Sequence, residues 1–237
     1  MTGKTPLFLL THFVIFVMSI NENYLARFEA GSIYHVYNRT NNKEPLFRSA
    51  ENYSHFLNQY HLFISPIAYT FAWNLLPNHF HFLVKIKSYN EIMDHINALF
   101  KLTKADKTFL MDHDINALSI AAFRRFFTSY AMAYNNTYGR TGNLFHRTFK
   151  RIEIADDSQF TQTLIYIHAN AQKHELVDDF KLHKWTSYHS VMSESPTKIL
   201  RDEILQWFGG KDAFVTMHES LVEYYYSTGI NIEDESG

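Results

Sequence analysis

The sequence contains no cysteine, and its 237 residues carry 22 Lys and Arg against 24 Asp and Glu, a formal net charge of −2. Without cysteine the chain forms neither a disulfide framework nor a thiolate metal site, and we expect a reducing, cytoplasmic location. Any metal ion would be held by histidine, carboxylate or amide oxygen. The near-neutral charge argues against bulk attraction to nucleic acid, although it leaves room for a local basic groove.

The sequence also lacks an apolar run long enough to span a membrane, and we expect no membrane partner. Residues 7–18 are apolar but too few for a span, and we interpret 1–22 as a dispensable leader, with a signal peptide as the alternative. A hydrophobic content of 46% is ample for the core of one domain. We place that domain at 23–190, followed by a C-terminal helical extension with an acidic tail at 191–237.

A strand predicted near the middle of the chain carries two histidines, His79 and His81. Side chains at i and i+2 of a strand share a face, so both imidazoles point the same way, while Phe80, Phe82 and Val84 line the opposite face. This alternation suits a sheet that packs on helices with one face and holds a site on the other. The pair predicts either a metal or catalytic site or two half-buried polar residues with backbone partners.

Hydrophobic periodicity predicts a strand–helix–strand–strand–helix order in the first half of the domain. The predicted elements are a strand over 33–39, a helix over 51–63, a strand over 67–75, the His79 strand after a tight turn at Pro77-Asn78, and a helix that begins near Ser88. This order predicts an α+β fold with a ferredoxin-like antiparallel sheet covered by helices, and further helices follow at the C-terminus. Tyr69, Phe71 and Trp73 should share one face of the second strand.

Residues 106–120 show no clear periodicity and are predicted to be irregular, whereas 123–138 are predicted to form a long helix. Tyr130, Tyr134 and Tyr138 lie one turn apart on that helix. Such a stripe is more typical of packing than of a platform on which DNA bases stack.

A basic segment begins in the same helix. Between residues 124 and 151 the chain has six cationic residues and no acidic one: Arg124, Arg125, Arg140, Arg147, Lys150 and Arg151. This local excess of positive charge suits phosphate groups, and a solvated surface loop is the alternative interpretation.

A further helix is predicted over 157–174. Its residues Tyr166, Asn170 and Lys173 are spaced i, i+4 and i+7, which places a phenol, an amide and an ammonium group on one face. His168 should point elsewhere.

Five short motifs, in this order over residues 31–190, resemble those of the HUH single-tyrosine transposases, and in detail those of the REP-associated tyrosine transposase branch. The motifs are Tyr34-His35-Val36-Tyr37-Asn38-Arg39, Leu76-Pro77-Asn78-His79-Phe80-His81, Gly139-Arg140-Thr141-Gly142-Asn143-Leu144-Phe145, Tyr166-Ile167-His168-x-Asn170 and Trp185-x-Ser187-Tyr188. One position departs from the family pattern, because Ala171 follows Asn170 where the family has proline.

The resemblance implies that His79, His81 and Asn170 hold a divalent metal ion, and that Tyr166 attacks a DNA phosphodiester to give a 5′-phosphotyrosine and a free 3′-hydroxyl. An amide oxygen with two imidazoles favours Mg²⁺ or Mn²⁺, with Zn²⁺ as the alternative. The implied partner is single-stranded or hairpin DNA, and the resemblance leaves open whether the chain acts as a homodimer. The side chains expected to contact DNA phosphates are Arg140, Arg147, Lys150, Arg151 and Lys173.

Two other functions fit parts of the pattern. A non-catalytic descendant of such a transposase would bind hairpin DNA without cleaving it. A two-histidine metal hydrolase would use water as its nucleophile and would need a carboxylate base, but no acidic residue lies between Phe71 and Lys87. The resemblance implies a DNA strand transferase and endonuclease, and this is the function we expect.

Overall fold

The computed structural model describes residues 25–100 and 114–228, so the predicted leader and the acidic residues at 232–237 lie outside the described chain. The strands are β1 (Ile33–Arg39), β2 (Ala68–Leu76), β3 (His79–Ile86) and β4 (Lys150–Glu153). The helices are α1 (Ala50–Ile64), α2 (Tyr89–Phe100), α3 (Ile115–Tyr138), α4 (Asp157–Lys173), α5 (Tyr188–Met192), α6 (Arg201–Phe208) and α7 (Lys211–Thr228). No helix in these two stretches is both long and apolar enough to cross a membrane.

The four strands form one antiparallel sheet in the order β2-β3-β1-β4. This is the ferredoxin-like arrangement, in which a β2–β3 hairpin inserts β3 beside β1 and the last strand pairs with the other edge of β1. The predicted α+β class and the hairpin turn at Pro77-Asn78 are confirmed. The short strand β4 was not predicted, because a four-residue strand shows little periodicity of its own.

One face of the sheet packs against α1 and α3. Phe80, Phe82 and Val84 lie in this core with Phe56 of α1, and all four side chains are fully buried. The ring of Tyr60, also on α1, stacks on Phe82 with 4.0 Å between the ring centres. The predicted apolar face of β3 is therefore confirmed, and the histidine face is turned toward the opposite layer.

The opposite layer is α4 together with the C-terminal helices. Leu83 of β3 packs there with Leu164 and Tyr166 of α4, and Phe208 and Phe214 of α6 and α7 close the same cluster. The extension that begins at residue 191 thus contributes to the core that supports α4. Its boundary stays a prediction.

Two local predictions were wrong. The first concerns Phe71 and Trp73, which were predicted to share one face of β2. A β-bulge between Thr70 and Ala72 shifts the alternation of side chains along this strand. Trp73 therefore pairs with Phe82 on the α1 side, whereas Phe71 packs on Phe160 of α4.

The second wrong prediction concerns the start of α3. Residues 115–120 are helical rather than irregular, because Asp114 caps the helix by accepting a hydrogen bond from the N–H of Ala117. Residues 106–113 lie outside the described chain.

Candidate active site

Strand register brings the site residues of β1 and β3 to one face. His79 lies opposite Arg39 and His81 lies opposite Tyr37 in the antiparallel pair. Directly opposed residues point to the same side of a sheet, as do residues two apart in one strand. Consequently His79, His81, Tyr37, Arg39 and His35 all face the α4 layer.

Helix α4 crosses this face and is held there by polar contacts from the sheet. Its N-terminus is capped by Asp156, which accepts the N–H of Gln159 at 2.8 Å. The side-chain amide of Asn74 on β2, fully buried, donates to the carbonyl of Ile167 at 2.6 Å. The Asn74 bond ties the middle of α4 to the sheet beside the histidines.

His79 is held between two amide oxygens. Its Nδ1 lies 2.6 Å from Oδ1 of Asn78, and its Nε2 lies 3.4 Å from Oδ1 of Asn170 on α4. Burial, more than any other influence, lowers the pKa of His79 to about 3, so the ring is neutral at pH 7 and carries one proton. One proton serves only one of the two contacts. With the proton on Nδ1, at the shorter contact, the Nε2 lone pair faces the oxygen of Asn170.

In that tautomer, the spacing of the two acceptors fits two ligands of one cation. Two ligands at right angles around Mg²⁺, each about 2.1 Å from the ion, lie about 3.0 Å apart, close to the 3.4 Å observed between Nε2 of His79 and Oδ1 of Asn170. Among the described residues no group of three or more His, Cys, Asp or Glu has the arrangement of a metal site. With two imidazoles, the amide oxygen of Asn170 would be the third donor of a site here, and an imidazole–amide donor set fits Mg²⁺ or Mn²⁺.

His81 lies deeper than His79 and pairs with a third histidine. Its Nδ1 is 3.0 Å from Nε2 of His35, and the exposed fractions of the two residues are 0% and 2%. Burial lowers the pKa of His81 well below its ordinary value, with His35 as the next contribution, and lowers that of His35 to about 3. The rings of His79 and His81 lie at right angles, with centres 5.2 Å apart.

Tyr166 approaches the same histidines from the helix. The centre of its ring is 6.0 Å from that of His81 and 6.2 Å from that of His35, in edge-to-face geometry. Its hydroxyl oxygen accepts from the ammonium group of Lys173 at 3.3 Å, and that ammonium group lies 4.9 Å from the ring centre. The predicted shared face of Tyr166, Asn170 and Lys173 is thus present.

The tyrosines of α3 are in a different place. Tyr130 and Tyr134 are buried in the α1–α3 core, and their hydroxyls donate to the carbonyls of Leu46 and Pro45. These bonds confirm the packing interpretation of the stripe.

The electrostatic surroundings of the site are positive. After burial, the charged groups that lower the pKa of His79 are His174, Lys173 and Arg39. No carboxylate is among the groups that shift the pKa of His79 or His81. Within residues 25–100 and 114–228, these two histidines thus have cationic rather than anionic neighbours, and a phosphate would meet favourable charge.

The comparison with solved structures agrees with this architecture. No family model matches the sequence, and no curated protein matches it either. Four chains among solved structures are similar in fold. One is a REP-associated tyrosine transposase bound to a REP hairpin, with a TM-score of 0.51 and 14% sequence identity over 76% of this chain and 90% of that chain. The fold is that of a REP-associated tyrosine transposase.

The cationic side chains of the basic segment lie in different environments in this fold. All five N–H donors of Arg140 are engaged: they bond both carboxylate oxygens of Glu44, the side chain of Asn135 and three loop carbonyls. Arg151 donates to the carbonyl of Ala26 and lies over two phenylalanine rings. Both arginines therefore have structural contacts, and a phosphate contact by Arg140 would have to replace an existing bond.

Arg147 and Lys150 are placed differently from those two arginines. Arg147 is exposed, and the structure gives it no hydrogen bond or ion pair within the described residues. Lys150 lies opposite Tyr37 in the β1–β4 pair, so its side chain starts on the α4 face. Of the four residues of this segment that were predicted to contact phosphates, Arg147 and Lys150 are the best placed, and their DNA contacts stay predictions.

Sequence reasoning assigned no role to three residues of this candidate site. His174 lies edge-to-face with His79, at 4.9 Å between ring centres, and its position four residues after Asn170 on the same helical face could have identified it. Arg39 and His35 belong to the first motif of the family resemblance, but their place beside His79 and His81 follows only from the β1–β3 register, which is not visible in the sequence.

Proposed function

We propose that this protein is a metal-dependent DNA transposase and endonuclease that cleaves and rejoins single-stranded or hairpin DNA through a 5′-phosphotyrosine intermediate. The observation that carries the proposal is the convergence of two elements. Strand β3 supplies His79 and His81, and α4 brings Tyr166 and Asn170 to the same place, with Oδ1 of Asn170 3.4 Å from Nε2 of His79.

In the proposed reaction, Oη of Tyr166 forms a bond to the phosphorus atom and the bond from phosphorus to the 3′ oxygen breaks. The phenol loses its proton and the departing 3′ oxygen gains one, so the step balances without a nucleotide or redox cofactor. Because a phosphodiester is exchanged for a phosphotyrosine ester, the reverse attack by a 3′-hydroxyl rejoins DNA.

The ammonium group of Lys173 has a specific role in this chemistry. A tyrosine has an ordinary pKa near ~10 and is a poor nucleophile at neutral pH, so it needs a nearby positive charge or a base. Lys173 donates to Oη of Tyr166 at 3.3 Å and thus stabilises the phenolate as it forms.

The proposed ligands of the divalent ion are Nε2 of His79, His81 and Oδ1 of Asn170, with Mg²⁺ or Mn²⁺ as the ion that suits an imidazole–amide set. When bound, such an ion polarises the phosphate and stabilises the charge that develops on its oxygens. Arg39 and Lys150, on the same face of the sheet, would extend the positive surface along the DNA strand. We also propose that the protein is cytoplasmic and that it acts as a homodimer.

The burial of Tyr166 favours a second candidate function. Only 2% of this residue is exposed, so a phosphate can reach Oη only if neighbouring side chains such as Lys173 move. A protein that kept this closed arrangement would bind hairpin DNA without cleaving it.

A gel assay with end-labelled hairpin oligonucleotides separates the two candidates. The full chain with Mn²⁺ should yield a shortened strand and a slower band that resists denaturation, and a chelator should abolish both. A shifted native complex with neither cleavage nor a denaturation-resistant band would support the binding-only function and contradict the proposed one.

A further inference from the structure

The two histidines of β3 are held in the same way at their Nδ1 atoms. Nδ1 of His79 lies 2.6 Å from the amide oxygen of Asn78, and Nδ1 of His81 lies 3.0 Å from Nε2 of His35. Each ring thus has its Nδ1 engaged by a neighbour, and Nε2 of His79 meets Asn170 of α4. Asn78 belongs to the hairpin turn, whereas His35 lies on the adjacent strand β1.

The contact between His35 and His81 holds a single proton. Both rings are buried, and a hydrogen bond between two imidazole nitrogens requires one donor and one acceptor. If Nδ1 of His81 carries the proton, its Nε2 keeps a lone pair. If Nε2 of His35 carries it, Nε2 of His81 must carry the other proton of that ring and cannot bind a cation.

Stacking fixes the orientation of both rings. The ring of Tyr37 lies 4.8 Å from that of His35 and 5.7 Å from that of His81, with interplanar angles of 27° and 28°. The two histidine rings are themselves 5.2 Å apart at 29°. Three nearly parallel rings on one sheet face leave little room for His81 to rotate.

We propose that His35 is a positioning residue that accepts the Nδ1 proton of His81 and so directs the Nε2 lone pair of His81 to the metal ion; this rests on the proposed function. Metal-binding histidines commonly donate their second N–H to a carboxylate or a backbone carbonyl, which sets the tautomer. Neither β1 nor β3 contains an acidic residue, and a neighbouring histidine takes that position.

A matched pair of variants tests the proposal. His35→Gln keeps an amide oxygen that can accept from His81, whereas His35→Leu has similar volume and no acceptor. His61→Leu, on α1 at the other face of the sheet, controls for the loss of a partly buried histidine. Circular dichroism and hairpin-oligonucleotide binding report whether each variant folds.

The first measurement needs neither metal nor activity. Long-range ¹H–¹⁵N correlation spectra of histidine-labelled protein, with His81 assigned from a His81→Asn sample, should show the Nδ1–H tautomer in wild type and in His35→Gln. His35→Leu should show an increased Nε2–H population. An Nε2–H tautomer of His81 in the wild-type protein would overturn the proposal even if every His35 variant failed to fold.

The second measurement is Mn²⁺ affinity by calorimetry. His35→Leu should bind about 10- to 100-fold more weakly than wild type, the usual effect of removing such a partner, and His35→Gln should recover most of the loss. Wild-type affinity in a folded His35→Leu protein would contradict the proposal. If instead the wild-type protein bound no Mn²⁺, the proposed function would fail, while the tautomer spectra would still decide whether His35 orients His81.

Discussion

Nε2 of His79 lies 3.4 Å from Oδ1 of Asn170, and this contact joins strand β3 to the middle of α4 across the sheet face. Asn170 is one turn from Tyr166 on that helix, so the residue that meets the histidine also sets the place of the phenol. Substitutions of Tyr166, of the histidines and of the arginines test their roles separately.

Tyr166→Phe should abolish the covalent protein–DNA adduct and leave folding and hairpin binding intact. The change removes one oxygen atom and little packing, because the ring remains in the core with Leu164 and Leu83. Denaturing gels after incubation with hairpin DNA measure the adduct, and a native gel measures binding.

Tyr134→Phe is the matched control for that substitution. It should retain the adduct and lower stability by about 0.5–1.5 kcal/mol, because it loses the hydrogen bond to the carbonyl of Pro45. An adduct that disappears in Tyr134→Phe and persists in Tyr166→Phe would reverse the assignment.

The double substitution His79→Ala/His81→Ala should remove Mn²⁺ binding measured by calorimetry, because two of the three proposed ligands are lost. His174→Ala is an informative comparison, since its ring contacts His79 but is not a proposed ligand. Equal affinity for wild type and the double variant would contradict the metal site.

Arg147→Ala should weaken binding to all DNA sequences and reduce the slope of log affinity against log salt by about 0.7–0.9, the value for one phosphate contact. The thermal midpoint of unfolding should not change, because Arg147 is exposed. An unchanged salt slope would mean that this arginine is only part of a solvated surface.

Arg140→Ala should have the opposite profile. Its side chain links the loop after α3 to Glu44, so its removal should lower the thermal midpoint more than it changes the salt slope. Differential scanning calorimetry compares the two arginine variants directly. A stable Arg140→Ala protein with a flattened salt slope would show that this arginine contacts phosphate after all.

His218 on α7 should make stability sensitive to acid. Burial lowers its pKa to about 3, against about 6.5 in an unfolded chain, so below pH 6.5 the unfolded state binds a proton that the folded state does not. Stability should therefore fall as the pH drops from about 6.5 toward 3, by up to about 1.4 kcal/mol per pH unit for this group.

Urea unfolding of His218→Gln at several pH values checks this prediction. The variant should be less stable at pH 7.5, because it loses the 2.9 Å contact with His168, but its stability should fall less on acidification. An identical fall in wild type and variant would contradict it.

The sequence predicted best those features of the site that depend on residues close together in the chain. The shared face of His79 and His81 follows from the two-residue repeat of a strand, and that of Tyr166 and Asn170 from the turn of a helix. The β2–β3 hairpin could also be predicted, because its turn at Pro77-Asn78 is only two residues long.

Features that depend on distant partners could not be predicted. His35 meets His81 across 46 residues, and Arg140 bonds Glu44 across 96 residues. Both contacts require the strand register or the loop arrangement of the finished fold. The bulge at Thr70 likewise changes which face each later residue of β2 occupies.

The central claim is that Tyr166 forms the covalent bond to DNA. Incubation of the full chain with a hairpin oligonucleotide and Mn²⁺, nuclease trimming, proteolysis and peptide mass spectrometry locate the modified residue. The account predicts a 5′-phosphonucleotide on the peptide that contains Tyr166. A modification on the peptide that contains Tyr134 or Tyr138, or no modified peptide from protein that binds the hairpin, would contradict it.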